Sequence, residues 1–314
     1  MDASQVRRRA RQRGRRSVIE ASAFLEAAVR TATPLLLAAA GETVCERAGV
    51  INIGLEGCII AGAFAAFVAG PAGTAAGYAA AVGAGLAFGL MLALFVVALR
   101  RDQIITGTAL TMLALGTTGT LFRARADAVL VHATEGPLTV PLLSRIPIVG
   151  TAFFGQPAIT YVAVVMVPIV ALWLYRTHAG LSLRAVGEAP EAARAAGIHV
   201  PLVVTGAIAF GSAMGGLAGG ALVLAQAGTF AEGMSAGRGF LAIAIVALGR
   251  WRPWGVLLAS VVFGAAMAFQ FAVQALGWNL RYELVLMIPY VLTLIALSLF
   301  RRGDAPAMLG RTEG

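Results

Sequence analysis

Long apolar stretches recur along almost the whole chain, and they restrict it to a fold that lies within a lipid bilayer. A helix needs about 20 consecutive apolar residues to cross the hydrocarbon core. Inside the bilayer every backbone N–H and C=O group must be hydrogen-bonded within the protein, which leaves helices and closed barrels as spanning structures. The stretches lie at residues 21–41, 58–70, 75–99, 103–122, 157–175, 201–227, 239–249, 254–276 and 281–300. We therefore predict an all-α polytopic protein with about nine spans, some of them short or broken.

The composition excludes a water-soluble fold. Hydrophobic residues make up 59% of the 314 residues and charged residues only 12%, and the mean hydropathy is +0.84. Soluble domains contain about 45–50% apolar and about 25% charged residues. We predict a basic N-terminal tail over 1–20, one transmembrane domain over 21–300 with a hydrophilic loop at 176–200, and a C-terminal cytoplasmic tail over 301–314.

All 24 basic residues are arginine, which excludes several kinds of chemistry. Without lysine the chain has no P-loop lysine to hold a nucleotide phosphate and no lysine for a Schiff base. Cys45 and Cys58 have neither metal-ligand nor disulfide spacing, and the three histidines are scattered. We expect no metal, no cofactor and no catalytic site in this chain. If ATP drives it, a partner protein must bind the nucleotide.

The net charge of +9 reports membrane orientation rather than nucleic-acid binding. Excess arginine beside apolar spans marks short cytoplasmic loops. We therefore predict a cytoplasmic position for 100–101, 176–194, 250–252 and 301–302. The stretch 123–156 is mixed in charge and rich in proline, and by alternation it lies outside.

The N-terminus presents a conflict between two rules. Counting spans back from a cytoplasmic Arg100 places it outside, yet residues 1–16 form the most basic tail in the chain. Either the first segment does not cross the membrane completely, or the fold overrides the charge rule. A signal peptide is a third option that fits less well, because Glu26 and Arg30 interrupt the apolar stretch and no clear cleavage site follows it.

Glycines spaced four residues apart indicate packing seams between helices. Gly85 and Gly89 lie in one predicted span, and Gly211, Gly215 and Gly219 lie in another. This spacing places them on one helix face, where the missing side chain lets two backbones approach closely.

The segment 42–57 interrupts the apolar pattern between the first two stretches. It combines three carboxylates, an arginine and an asparagine with several glycines. Irregular backbone persists at membrane depth only where it is covered by protein or lines a wet cavity, and transporters build their sites at such breaks. We therefore interpret 42–57 as a broken span.

The hydrophilic loop 176–200 contains a predicted short helix. Pro190 suits the first turn of a helix, Glu191 favours its positive N-terminal end, and Gly197 suits its end. Its alanine-rich face would fit a groove on another protein, although a solvated linker helix has the same pattern.

Several ordered motifs resemble one family of membrane proteins. Glu191-Ala192-Ala193 followed after three residues by Gly197 is similar to the EAA loop that importer permeases insert into their ATPase subunits. The surrounding motifs are Gly180-Leu-Ser-Leu-Arg-Ala-Val-Gly-Glu-Ala-Pro-Glu-Ala-Ala, Glu46-Arg-Ala-Gly-Val-Ile-Asn-Ile-Gly-Leu-Glu-Gly57, Asp102-Gln-Ile-Ile-Thr-Gly107, Met234-Ser-Ala-Gly-Arg-Gly-Phe240 and Leu248-Gly-Arg-Trp-Arg-Pro-Trp-Gly255. Over residues 23–300 the chain resembles the branched-chain amino acid/ribose-type permeases of ABC transporters, above all the nucleoside (simple-sugar-like) branch. The arginine-rich tail before Ser17 departs from that pattern.

The resemblance implies a fold like the type II ABC importers, a set of partners and a mechanism. Two homologous permease subunits would assemble with ATP-binding cassette ATPase subunits, which bind ATP and Mg²⁺, and an extracellular lipoprotein would deliver a nucleoside. ATP-driven closure would reach the spans through the EAA-like loop in a bacterial cytoplasmic membrane. The coupling residues implied are Arg184, Gly187, Glu188, Pro190, Glu191, Ala192, Ala193 and Gly197.

A substrate path is predicted at the broken span. Asn52 and Glu56 supply hydrogen-bonding groups on one face if the segment is helical, and Gly54 and Gly57 allow the backbone to leave the helix. A purely structural polar network is the alternative, with Arg47 as the partner of Glu56. Two glutamines are further candidates, although a lone glutamine in a span commonly bonds a neighbouring helix: Gln103 and Gln226.

Two alternative functions stay open from the sequence. The same machine could carry a simple sugar or another small metabolite. An ion-coupled secondary transporter would use Glu46 or Glu56 as the titrating group and would transport without an ATPase.

Overall fold

The computed structural model describes residues 3–125, 134–139, 149–275, 287–298 and 305–310. Half of the predicted outside stretch and both ends of the predicted last span lie outside these residues. The helices are α1 (Ala3–Arg47), α2 (Leu55–Ala69), α3 (Thr74–Ala93), α4 (Gln103–Ala124), α5 (Val149–Phe154), α6 (Ala158–Arg176), α7 (His178–Glu188), α8 (Pro190–Ala195), α9 (Val200–Ala221), α10 (Arg238–Leu248), α11 (Pro253–Ala275) and α12 (Ile288–Ser298). Two short strands, β1 (Leu138–Thr139) and β2 (Gly155–Gln156), pair antiparallel.

Seven helices in the described residues are long and apolar enough to cross a membrane. They are Ala21–Arg47, Leu55–Ala72, Thr74–Ala98, Gln103–Ala124, Ala158–Arg176, Val200–Ala227 and Pro253–Gln270. Two of them end in π-helical turns, Leu94–Ala98 and Leu222–Ala227. The predicted all-α polytopic fold is confirmed, with about nine spans as an approximation.

α1, α2 and α9 form the centre of the bundle. α9 packs against α1, α2 and α3, and α11 packs along α1. Leu35, Ile59 and Ile245 are among the fully buried side chains of the largest core cluster. The large exposed apolar side chains lie mainly on α3, α4, α6, α11 and α12, as expected for helices that contact lipid.

The predicted glycine seams are confirmed. Gly216 of α9 lies between two helices. A Cβ built on Gly62 of α2 would collide with the backbone of Gly216, and a Cβ built on Gly85 of α3 would lie 2.8 Å from the Cα of Gly216. Gly89 faces Ser212 of α9. Because none of these positions has room for a methyl group, α2, α3 and α9 meet backbone to backbone.

The two ends of the bundle differ in charge. At one end α7, α8, the turn between α10 and α11, the start of α4 and residues 305–310 lie near one another, and this end carries the predicted cytoplasmic arginines of 100–101, 176–194 and 250–252. The predicted cytoplasmic pair at 301–302 lies outside the described residues. At the other end Tyr78 donates a hydrogen bond to Glu135, and Gln156 donates one to the carbonyl of Glu26. The loops therefore divide between the ends as the arginine rule predicts.

α1 extends from one end of the bundle to the other. Its residue Glu26 lies at the end that holds Gln156, whereas Arg47 lies beside Trp251 at the arginine-rich end. The separation of about 30 Å along the helix matches the hydrocarbon thickness. The first segment is therefore long enough to cross, which favours the explanation in which the fold overrides the charge rule.

α10 is a half-span. The sequence predicts an apolar segment at 239–249, and the helix contains 11 residues, a length of about 16 Å. This is about half of a bilayer core, so the N-terminus of α10 lies at membrane depth.

Candidate functional site

The break between α1 and α2 is held by a buried polar network. We define the α1–α2 break as residues 48–54, which follow the last turn of α1. The backbone N–H of Asn52 donates to Glu42 Oε1 at 2.9 Å, and Asn52 Nδ2 donates to Ser212 Oγ of α9 at 2.9 Å. Asn52 and Glu42 are fully buried. These bonds supply partners for a backbone that leaves the helix inside the protein, as the bilayer requires.

Glu56 joins α2 to the N-terminus of α10. Its two carboxylate oxygens accept hydrogen bonds from the backbone N–H groups of Gly237, at 2.8 Å, and Gly239, at 2.6 Å. The first N–H groups of a helix have no partner within the helix and carry partial positive charge. A carboxylate there both completes the hydrogen bonding and offsets the charge of a helix end at membrane depth.

Arg238 anchors the start of the half-span α10. Its guanidinium donates to the carbonyls of Met234, at 2.7 Å, and Ser235, at 3.1 Å, in the turn before α10. Its charge also interacts with that of Glu56. The entry to α10 is therefore fixed by two oppositely charged side chains.

Arg47 is not the partner of Glu56 that the sequence suggested. Its Nε donates to the carbonyl oxygen of Trp251 at 3.0 Å, and the Trp251 indole N–H donates to Glu46. Arg250 and Trp251 both have positive φ, at 57° and 53°. The last turn of α1 therefore clamps a strained turn between α10 and α11.

The predicted path glycines lie in a packing interface. A Cβ on Gly54 would lie 3.6 Å from the Cα of Gly107, and one on Gly57 would lie 2.9 Å from the Cα of Thr111, both in α4. Gly54 and Gly57 therefore let α4 approach the start of α2 closely.

The two candidate glutamines occupy different ends of the bundle. Gln103 is buried and accepts a hydrogen bond from the backbone N–H of Ile51 at 3.0 Å, so it joins the α1–α2 break. Gln226 donates to the carbonyl of Arg30 at 2.7 Å, towards the opposite end. The structure thus brings together Asn52, Gly54, Glu56, Gly57 and Gln103, and separates them from Gln226.

The loop 176–200 contains two helices rather than one. Pro190 begins α8, and Gly197 follows it with a positive φ of 84°, as the sequence predicts. Ala193 is buried against Val186 and Val200. The remaining side chains of α8 after Pro190 are exposed and form an outward face: Glu191, Ala192, Arg194 and Ala195.

α7 places the other predicted coupling residues at the junction with the membrane domain. The guanidinium of Arg184 lies 5.2 Å from the centre of the Tyr175 ring, a cation–π contact with the end of α6. Gly187 is buried against Arg47, and Glu188 is exposed. Arg184 and Gly187 therefore seat α7, whereas α8 carries the exposed face.

Sequence reasoning assigned no role to four members of the polar network: Glu42, Ser212, Trp251 and Gly239. The i,i+4 spacing of Glu42 and Glu46 before Asn52 is a signal for the first of them. The described residues contain no group of three or more His, Cys, Asp or Glu side chains that could hold a metal ion. The network can hydrogen-bond the irregular backbone of the break and offset the partial charge at the start of α10. Its described residues do not pair a nucleophile with a base as covalent catalysis requires.

Comparison with known proteins gives concordant matches. The family model described as "Branched-chain amino acid transport system / permease component" matches residues 24–297. The putative glucose ABC transporter permease protein TsgC13 of Haloferax volcanii is 38% identical over 82% of this chain and 79% of its own length. No solved structure matches significantly.

Two further relatives are named as permeases for nucleosides. The guanosine ABC transporter permease protein NupQ of Bacillus subtilis is 34% identical over 92% of this chain and 95% of its own length. The nucleoside ABC transporter permease protein NupC of Lactococcus lactis is 33% identical over 85% and 89%.

Proposed function

Because this chain belongs to the branched-chain amino acid transport system permease family and is a permease subunit of an ABC transporter, we propose that it carries nucleosides into the cell in a complex driven by a partner ATPase. The family expected from the motifs is thereby confirmed. Family membership favours an ATP-driven permease over an ion-coupled secondary transporter.

The similarity to the guanosine permease carries the substrate proposal. That match extends over 92% of this chain and 95% of the relative, and a second relative is named for nucleosides. A nucleoside is neutral and rich in hydroxyl and amide groups, so its path requires hydrogen-bonding groups rather than a counter-ion.

The proposed partners are those that an ABC importer requires. ATPase subunits hold ATP and Mg²⁺, an extracellular lipoprotein delivers the nucleoside, and a second homologous permease completes the path across a bacterial cell membrane. We propose no bound cofactor for this chain and no contact with nucleic acid.

We propose that α7 and α8 couple ATP hydrolysis to transport. The exposed α8 face lies at the arginine-rich end of the bundle, where an ATPase in the cytoplasm would meet it. Gly187 of α7 lies directly on the backbone of Arg47, the last residue of α1. A displacement of α8 therefore has a short route through α7 to the α1–α2 break.

The same break is the proposed position of the substrate path. Asn52 and Glu56 bind Ser212 and the start of α10, so a displacement of the break would reposition both elements. Asn52 Oδ1 is buried and has no hydrogen-bond partner among the described residues. An unsatisfied buried acceptor is costly, and a donor from a substrate would satisfy it. We propose that Asn52 contacts substrate when the break moves, while Glu56 holds α10.

A simple sugar is the second candidate substrate. It is supported by the 38% identity to the putative glucose permease, and a sugar offers hydroxyl groups to the same polar side chains.

The test is uptake by the reconstituted complex. The chain, its second permease and the ATPase are placed in proteoliposomes with the binding lipoprotein, and uptake of labelled guanosine, uridine and glucose is compared with and without ATP. ATP-dependent uptake of the nucleosides, with competition by unlabelled guanosine but not glucose, is expected. ATP-dependent uptake of glucose alone would replace the nucleoside proposal with the sugar, and equal uptake without ATPase would overturn both.

A further inference from the structure

Residues 305–310, close to the C-terminus, dock against α7. The backbone N–H of Met308 donates to the carbonyl of Gly187 at 3.0 Å, and the N–H of Ala307 donates to Glu188 Oε2 at 3.2 Å. The last carbonyls of a helix lack partners within the helix. The segment therefore caps the end of α7 from a position more than a hundred residues away in sequence.

The same segment also contacts the α1–α2 break. A Cβ on Gly49 would lie 3.2 Å from Met308 Cβ, and one on Gly310 would lie 3.5 Å from Ile51 Cδ1. Pro306 is buried, and Leu309 packs against the main hydrophobic core. Residues 305–310 are thus an ordered part of the protein, although the sequence suggests only a cytoplasmic tail.

α7 and the break also touch each other directly. A Cβ on Gly187 would collide with the carbonyl of Arg47 and would lie 3.2 Å from the N atom of Gly49. Three parts of the chain therefore meet at one point: the end of α7, the start of the break and Met308. Of these three parts, α7 leads directly along the chain into α8 and its exposed face.

The break leads from this junction into the membrane interior. Arg47 and Glu46 hold Trp251 before α11, Asn52 holds Ser212 of α9, and Glu56 holds α10. Packed elements transmit a displacement only while they stay in contact. A loose α7 would pivot on Arg47 instead of moving the break.

We propose that residues 305–310 form a clip that fastens α7 to the α1–α2 break, and that Met308 is a positioning residue for coupling transport to ATP hydrolysis. The proposal rests on the proposed coupling role of α7 and α8. The clip resists the separation of α7 from the break, so that the movement of the coupling helices is delivered to α9, α10 and α11.

Two truncations of the full complex test the clip. One ends the chain after Asp304 and removes the clip, and its matched control ends after Gly310. Both are co-purified with the ATPase and second permease, and guanosine uptake per ATP hydrolysed is measured in proteoliposomes. We expect the control to behave as wild type and the shorter chain to keep its ATPase and ATP hydrolysis while uptake per ATP falls at least about fivefold, the lower end of measured coupling between sites. Unchanged uptake per ATP would overturn the clip.

A point variant of Met308 tests the clip if the shorter chain does not accumulate in the membrane. Met308→Pro removes the N–H that donates to Gly187, and Met308→Leu keeps that N–H and nearly the same volume. We expect lower uptake per ATP for Met308→Pro alone, and equal values for both variants would overturn the proposal. Failure of the proposed function is recognised separately, because the wild-type complex would then show no ATP-dependent uptake.

Discussion

Glu56 accepts a 2.6 Å hydrogen bond from the backbone N–H of Gly239, and this contact joins α2 to the first turn of the half-span α10. The two elements are 183 residues apart in sequence. A Cβ on Gly239 would lie 2.5 Å from the N atom of Glu56, so a residue other than glycine would force them apart. The position of α10 at membrane depth therefore depends on a carboxylate and a glycine together.

Glu56→Gln is expected to destabilise the protein. The amide offers one acceptor where the carboxylate offers two, so one buried N–H of α10 loses its partner at a cost of about 1–3 kcal/mol. The favourable charge at the helix end is lost as well. We expect the unfolding temperature in detergent, followed by tryptophan fluorescence, to fall by several degrees.

Glu232→Gln is the matched control for this substitution. Glu232 lies 3.5 Å from Arg123, and both side chains are largely exposed. Such a pair contributes about 0–1 kcal/mol. Equal unfolding temperatures for the two variants would show that Glu56 does not hold α10.

Asn52→Leu is expected to abolish nucleoside uptake without reducing membrane insertion or assembly with the ATPase. The change removes the hydrogen-bonding groups and keeps nearly the same volume. Ser212→Ala is compared with it, because that variant removes the described partner of the Asn52 side chain and leaves Asn52 in place. Uptake and complex yield are measured on the same preparations.

The two variants separate the interpretations of Asn52. If Asn52 binds substrate, Ser212→Ala keeps substantial uptake while Asn52→Leu keeps none. If Asn52 only holds the break, both variants lose assembly or uptake to a similar degree. Normal transport by Asn52→Leu would remove it from the path.

Glu191→Lys and Gly197→Trp are expected to uncouple ATP hydrolysis from uptake. Lysine at the start of α8 opposes the helix dipole. A Cβ on Gly197 meets nothing within 4 Å, so a large side chain there would project towards a docked partner. Gly197→Asn serves as the control, since asparagine tolerates the positive φ of 84° and is smaller. Co-purification of the ATPase at wild-type yield with normal transport would contradict the coupling role.

The sides of the membrane are testable by cysteine labelling. Cys45 and Cys58 are first replaced by alanine, and single cysteines are placed at the exposed positions Ala21, Thr134 and Glu191. An impermeant thiol reagent on intact cells should label positions 21 and 134 but reach position 191 only after lysis. Labelling of 191 in intact cells, with protection of 134, would invert the topology, and a permeant reagent checks that all three react.

The spans and seams could be predicted from sequence because they depend on local pattern. Hydropathy locates a membrane helix, and the spacing of Gly85 and Gly89 predicts the seam that the structure contains. The predicted segment 58–70 is shorter than the span in the structure, which begins at Leu55 and reaches Ala72. Polar residues in the first turn lower the local hydropathy, so hydropathy alone places the start of this helix too late.

The partners of the buried polar groups could not be predicted in the same way. Glu56 was expected to pair with Arg47, a neighbour in sequence, but it binds the start of α10, and Arg47 binds Trp251 instead. Hydrogen bonds between residues some 180 to 205 positions apart depend on tertiary packing. The docking of Met308 on Gly187 was missed for the same reason, since an arginine-flanked tail carries no local signal of order.

Gly216 touches two helices at once, with Gly62 on one side and Gly85 on the other. None of the three helices can rotate about its own axis without driving a side chain into a neighbouring backbone. We therefore expect α2, α3 and α9 to move together as one unit when the protein changes conformation. Relative motion is then expected at the borders of this unit, and the contact of Glu56 with the start of α10 lies at one of them.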